Sequence, residues 1–308
     1  MKNIIKISIF LLCAFNVNGQ QDPMLTQYMF NGLYLNPAYA GSHKYWSSTV
    51  SYRTQWAGAK FEGAPQTAIV AVDGPIPGKN MGIGFLVMHD QLGVTKSNSF
   101  MANYSYQIKL NPTSKLAFGI NAGVSQFTAN LNDVLIWDEE DQVYSNTLTK
   151  VLPRVGLGIY YYSEKHYVGF SVPTILSYED GNKFSMDLSK ASFLRRHYLL
   201  TGGLIINAGD MVKLKPSILL KYVHNAPFQG DINFSAVFKD QFWVGVTYRT
   251  GDAVALLLEY QSNKFFRIGY SYDISFSGLR GYQNGSHEIM IGVDFGKDLV
   301  KQKTPRYF

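Results

Sequence analysis

The chain has one cysteine, Cys13, in 308 residues. That leaves no disulfide framework and no cysteine-based metal or redox site. Charge is also scarce. Asp, Glu, Lys and Arg supply 16% of the sequence, against ~25% in an average soluble domain. No uninterrupted apolar run reaches the roughly 18 residues of a transmembrane helix. No His-Glu-x-x-His or Gly-x-Ser-x-Gly motif occurs, and His43, His89, His166, His197, His224 and His287 have no metal-ligand spacing. Neither an enzyme nor a cofactor is therefore expected. The net charge of +6 is scattered along the chain rather than gathered in a basic patch. An exported chain of this kind has no expected nucleic-acid partner. The acidic run at residues 138–141 reads as a solvated loop.

What the sequence does have is aromatic residues, at 15%, and a leader. Lys2 and Lys6 precede and enter a short apolar run at residues 7–15, followed by a polar stretch ending near Gly19 and Gln20. This layout is that of a secretory signal peptide over residues 1–20. Cys13 falls inside its apolar run, which argues against a lipid anchor there.

Strict alternation dominates the remainder. Phe266, Ile268, Tyr270, Tyr272, Ile274 and Phe276 share one face, and Arg267, Gly269, Ser271, Asp273 and Ser275 the other. Fourteen such segments can be read, near 47–57, 65–73, 81–89, 98–110, 115–127, 154–162, 166–173, 196–207, 211–222, 229–238, 241–249, 253–261, 264–275 and 286–295. Most are long enough to span a bilayer, for which strands need roughly 9–11 residues. Every second link is tight, at 75–80, 111–114, 163–165, 207–210, 239–240 and 262–263. The alternate links are mostly longer, notably 128–153 and 174–195. Even strand number and alternating link length are the marks of an outer-membrane barrel. The predicted fold is all-β: a transmembrane antiparallel barrel of about 14 strands over residues 47–296.

The predicted lumen face is small and polar. It carries Arg53, Lys213, Lys215, Lys221, Arg249 and Arg267 against Asp231, Glu259, Asp273 and Asp294. A sealed lumen with internal ion pairs is preferred over a wet pore. Gly82-Ile-Gly84 and Gly156-Leu-Gly158 lie within strands and read as small residues on a crowded face, not as phosphate loops. Residues 21–46 do not alternate and are expected either to plug the lumen or to line its mouth. Tyr160, Tyr161, Tyr162, Trp56 and Tyr260 lie near strand ends and are expected in the aromatic girdles. Residues 297–308 form a basic tail. An even strand count puts both termini on the periplasmic side.

Residues 22–31, Asp-Pro-Met-Leu-Thr-Gln-Tyr-Met-Phe-Asn, and 36–42, Asn-Pro-Ala-Tyr-Ala-Gly-Ser, resemble the PorP/SprF family of the type IX secretion system. Arg53-Thr54-Gln55-Trp56, Gly63-Ala64-Pro65-Gln66-Thr67, Asp90-x-x-Gly93 and Ser286-His287-Glu288-Ile289-Met290 also fit. The resemblance implies a non-enzymatic outer-membrane component that supports secretion or surface anchoring of cargo proteins with C-terminal export domains, such as gliding adhesins. Implied partners are the cargo, the secretion machinery, periplasmic peptidoglycan-associated or motor components, and the lipid bilayer. It carries no catalytic residues. Gln27, Asn31, Asn36, Pro37, Arg53, Trp56 and Pro65 are the candidate structural or partner-docking positions. A FadL-like transporter of hydrophobic solutes, or a porin, is the alternative. It would need an apolar pocket on a lumen face that reads as polar.

Overall fold

In the computed structural model, the described residues are 23–60, 62–130, 147–178, 184–185, 196–224, 226–262, 265–278 and 280–296. Fourteen antiparallel strands form one closed ring. They are β1 (Trp46–Thr54), β2 (Gln66–Pro75), β3 (Met81–Leu92), β4 (Thr95–Lys109), β5 (Ser114–Asn130), β6 (Thr147–Ser163), β7 (His166–Val172), β8 (His197–Leu204), β9 (Val212–Val223), β10 (Gln229–Phe238), β11 (Phe242–Arg249), β12 (Ala253–Ser262), β13 (Phe266–Ser275) and β14 (Ser286–Phe295). Ile206–Asn207 continues the line of β8 along β9. The ring closes where β1 pairs with β14, in a register that sets Val50 against Ile291 and Arg53 against Glu288. Closure leaves no strand edge, which is what a sheet in hydrocarbon requires. Outside the ring, Ser177–Tyr178 pairs with Phe184–Ser185.

The alternation sorts the side chains as expected. Val50, Phe100, Phe118, Leu157, Phe170, Ile232, Leu258 and Ile291 point outward and are exposed. In water so continuous an apolar belt would drive aggregation; in a bilayer it is solvated by lipid. The charges assigned to the lumen face do point inward, and Arg53, Lys215, Lys221, Asp231, Arg249, Glu259, Arg267, Asp273 and Asp294 are buried.

Several strands run past their apolar stretch. β3 and β4 extend through Asp90, Gln91, Lys96 and Ser97, so the link expected at 90–97 shrinks to residues 93–94. Polar residues beyond the lipid belt keep the ladder going because backbone pairing does not depend on which solvent meets the side chains. The core of the link expected at 128–153 lies outside the described residues, as do the acidic run, most of 179–195, the leader and the carboxyl-terminal tail.

The aromatic expectation needs a correction. Tyr160 is 4% exposed and faces the lumen, and Tyr162 stacks on it at 5.4 Å. Three consecutive strand residues cannot share one face, so Tyr161 alone points outward, toward His166. Tyr260 is exposed on the outer face, as expected, whereas Trp56 sits in the link after β1.

Residues 23–45 lie inside the ring. They contain 3-10 turns at Tyr28–Phe30 and Pro37–Tyr39 and a single helical turn, α1 (Gly32–Leu35). Of the two placements left open for this segment, the structure has the plug.

Arginine at position 291, in the middle of β14 on the lipid face, should cost about 2–4 kcal/mol. Chemical unfolding of Ile291→Arg in liposomes, against Met290→Leu on the inner face, would measure this. The expected outcome is a large loss for the first and a small one for the second.

Candidate functional site

The plug is held at three levels. At the upper end, near the long links, Thr26 enters a cluster of buried wall charges. Arg53 pairs with Asp273 at 2.7 Å and with Glu288 at 3.2 Å. Arg249 pairs with Asp231 at 2.9 Å and with Asp273 at 3.1 Å. The Thr26 hydroxyl lies 2.8 Å from both Asp273 carboxylate oxygens and accepts from Arg53 at 2.9 Å and Arg249 at 3.3 Å. Glu288 accepts the backbone N–H of Thr26 at 2.7 Å and of Gln27 at 3.1 Å. The plug therefore supplies donors to a wall carboxylate that one arginine alone would leave under-satisfied. Isolated buried charges are costly, and a charge-assisted hydrogen bond contributes about 1.5–3 kcal/mol.

In the middle, Asn36 donates to the carbonyls of Ile159 and Phe170 at 2.9 and 3.3 Å, and its own oxygen caps Ala38 N–H at 2.9 Å. Tyr28 shares a hydrogen bond with Ser217 at 3.0 Å. At the lower end, near the tight turns, Asp73 meets Gly41 N–H at 2.9 Å and His43 at 3.1 Å. Ser105 and Gln107 donate to the carbonyls of Ala40 and Gly41, each at 2.6 Å.

Between these anchors lies an apolar core. Phe30 meets Trp243 edge-on at 5.3 Å, and Lys215 sits over the Trp243 ring at 4.9 Å. Tyr39 meets Tyr160 at 5.6 Å. Inward-facing Leu86, Met88 and Met101 join one cluster with Leu33 and Tyr39; Leu219, Leu257 and Met290 join another with Tyr28 and Leu35. The lumen face is thus not polar throughout. Small clefts remain between plug and wall, one beside Tyr28 and Tyr39 and another beside Pro23 and Leu219.

The strand glycines fit this packing. A Cβ on Gly119 would lie 2.1 Å from Ala38 N, and one on Gly82 would lie 2.1 Å from Ala40 O. On Gly158 it would meet the Asn36 side chain, and on Gly84 the Leu33 side chain. At these four positions the wall is pared to backbone where the plug passes.

The structure brings five of the seven candidate positions together. Gln27 donates its amide to Glu288 O at 3.1 Å, Asn31 accepts from Ser51 at 3.1 Å, and Asn36, Pro37 and Arg53 are buried between plug and wall. Trp56 and Pro65 lie apart, in the link between β1 and β2. Trp56 has a left-handed φ of 53° and donates its N–H to Ser286 at 3.2 Å. Pro65 accepts from Gln55 N–H at 2.9 Å. Sequence reasoning missed Thr26, Arg154 and Trp243. Arg154 donates to Thr174 and Ser99 from an inward position on β6.

Residues 17–293 match the family model described as type IX secretion system membrane protein PorP/SprF. The chain belongs to this family. PorP/SprF membership makes it a type IX secretion component, and the barrel places it in the outer membrane. Comparison with curated proteins gives no match. Among solved structures, the chain is similar to the CymD monoaromatic hydrocarbon channel, with 11% identity, 90% of this chain and 93% of that one covered, and a TM-score of 0.48. It is also similar to the toluene transporter TbuX of Ralstonia pickettii (8%, 84% and 91%, 0.48) and to the KdgM porin (12%, 81% and 99%, 0.39). These likenesses concern the barrel fold alone.

Among the described residues no group of three or more His, Asp or Glu could hold a metal ion. What the PorP/SprF barrel can do with its buried charges is hold its own amino-terminal segment.

Gly119→Val should dislodge the middle of the plug, whereas Gly202→Ala, whose Cβ would find its nearest neighbour at 3.6 Å, should be tolerated. Limited proteolysis of the folded protein would show new cleavage between residues 23 and 45 in the first variant only. Arg53→Met should cost about 3–5 kcal/mol because it leaves Glu288 without its arginine and Asp273 with Arg249 alone. Adding Glu288→Gln should recover part of that loss in chemical unfolding.

Proposed function

We propose that this PorP/SprF protein is a non-conducting, lipid-held platform of type IX secretion. Its long links, chiefly those within 128–153 and 174–195, hold the C-terminal export domain of a cargo protein outside the cell. Its tight-turn rim and carboxyl-terminal residues face the periplasm and connect to peptidoglycan-associated or motor components. One observation carries the reading: the lumen is a packed core, with aromatic and aliphatic plug residues buried against inward-facing Leu, Met and Trp side chains. A barrel filled in this way is suited to working through its rims. The division of long links to one rim and tight turns to the other supplies the two faces. Candidate positions Gln27, Asn31, Asn36, Pro37 and Arg53 then act indirectly, by fixing the plug that braces both rims, and Trp56 and Pro65 shape the outer one.

The test is affinity capture of the tagged protein from detergent-solubilised outer membranes, with mass spectrometry of what accompanies it. Recovery of a surface protein with a C-terminal export domain, or of secretion machinery, is the expected result. Recovery of the barrel alone, loaded with fatty acid or lipid, would overturn it in favour of a FadL-like transporter using the apolar cleft beside Pro23 and Leu219.

A further inference from the structure

The tight-turn rim does not carry its charge evenly. Three neighbouring turns, after β2, β4 and β6, hold or border Lys79, Lys109, Lys115 and Lys165. Lys44 joins them where the plug leaves the lumen for β1. Lys44, Lys79, Lys109 and Lys165 are exposed, and Lys115 is half-buried. Among the described residues, the one carboxylate in these turns is exposed Glu164. Asp73, close by on β2, is buried and turned to Gly41 and His43. Farther round the ring the rim is balanced. There Lys213 and Lys239 face Asp210 and Asp240, and Lys213 pairs with Asp240 at 2.6 Å. Within the basic arc, Lys109 and Lys115 are direct register partners on β4 and β5. They share the inner face with Gln107 and Ala117, whereas Ile108 and Phe118 point outward to lipid. Like charges directly opposite in a sheet repel, and Lys44 adds to the repulsion on Lys115. Lys115 itself meets neutral groups: it donates to Gln107 at 3.0 Å and lies 5.9 Å from the centre of the Tyr162 ring. The inward direction of Lys109 and Lys115 turns them from the lipid phosphates, which lie on the outer face.

We propose that this basic arc binds an acidic segment of a protein partner, laid in extended form across the lumen mouth. Spacing argues for a chain rather than a single small anion. The turns after β2 and β6 are four strand spacings apart, roughly 19 Å at ~4.8 Å each. An extended chain covers that distance with about six residues. Lysines on flexible stems act as point charges rather than as a planar fork, which suits successive carboxylates. A multivalent acidic chain also relieves the repulsion between Lys109 and Lys115, which the sheet otherwise bears. The inference deepens the platform reading and rests on it for the partner's compartment, since the tight-turn rim faces the periplasm in that reading.

The test is fluorescence anisotropy of fluorescein-labelled hexaglutamate with the purified, folded full chain in uncharged detergent at low salt. Lys79, Lys109 and Lys165 are exposed and take no part in the contacts that hold the plug. The variant Lys79→Gln, Lys109→Gln, Lys165→Gln is compared with Lys60→Gln, Lys96→Gln, Lys239→Gln, which removes the same charge from exposed positions elsewhere. Migration before and after heating confirms that each variant is folded. The expected result is saturable binding by the unaltered protein that weakens as salt rises. The first variant should bind about tenfold more weakly, and the second within about twofold of the unaltered protein. No binding of hexaglutamate, or equal weakening by both variants, overturns the proposal. So does displacement of the peptide by inorganic phosphate at an ionic strength where chloride leaves it bound, which marks a small-anion site. Capture of neither cargo nor machinery in the affinity experiment would sink the platform reading and leave this binding unchanged.

Discussion

The rest of the structure depends on one constraint: a closed sheet in lipid must turn its apolar face outward, which sends its polar side chains into the lumen. There they need partners. Arg53, Arg249, Asp231, Asp273 and Glu288 are all buried, and wall-to-wall pairing satisfies only part of their hydrogen-bonding capacity. The plug completes it, with the Thr26 hydroxyl between two arginines and an aspartate and two backbone amides on Glu288. The wall in return strips itself to glycine where the plug backbone passes. The two halves of the interface make sense only together.

This mutual dependence bears on function. An aqueous conduit is lined by polar groups in water, whereas here inward-facing Leu86, Leu257 and Met290 are nearly inaccessible and join the clusters that the plug enters. Such side chains would be a poor lining for a wet channel and a good floor for a packed core. A barrel braced in this way offers two rigid rims, which is the property the proposed platform would use.

The sequence made the wall legible because parity is a local property. Exposed Phe266, Ile268 and Tyr270 and buried Arg267, Ser271 and Asp273 could be assigned from alternation alone. Three things were not legible. Position near a strand end does not reveal a face, so Tyr160 and Tyr162 were expected among the girdle residues rather than against Tyr39 and Gln107. Inward Leu, Met and Trp residues are hidden in strands that are apolar on both faces, because alternation then has no contrast. Partners distant in sequence cannot be paired by pattern: Thr26 and Glu288 are 262 positions apart. The family motif did mark the plug, since Gln27, Asn31, Asn36 and Pro37 all lie in it, but motif positions carry no information about what they touch.

The central claim is that the lumen is a core, held shut by the latched amino-terminal segment. Single-channel recording of the purified, folded protein in planar bilayers tests it most directly. The account predicts insertion without stable conductance for the full chain. A steady, ohmic pore in the unaltered protein would contradict it.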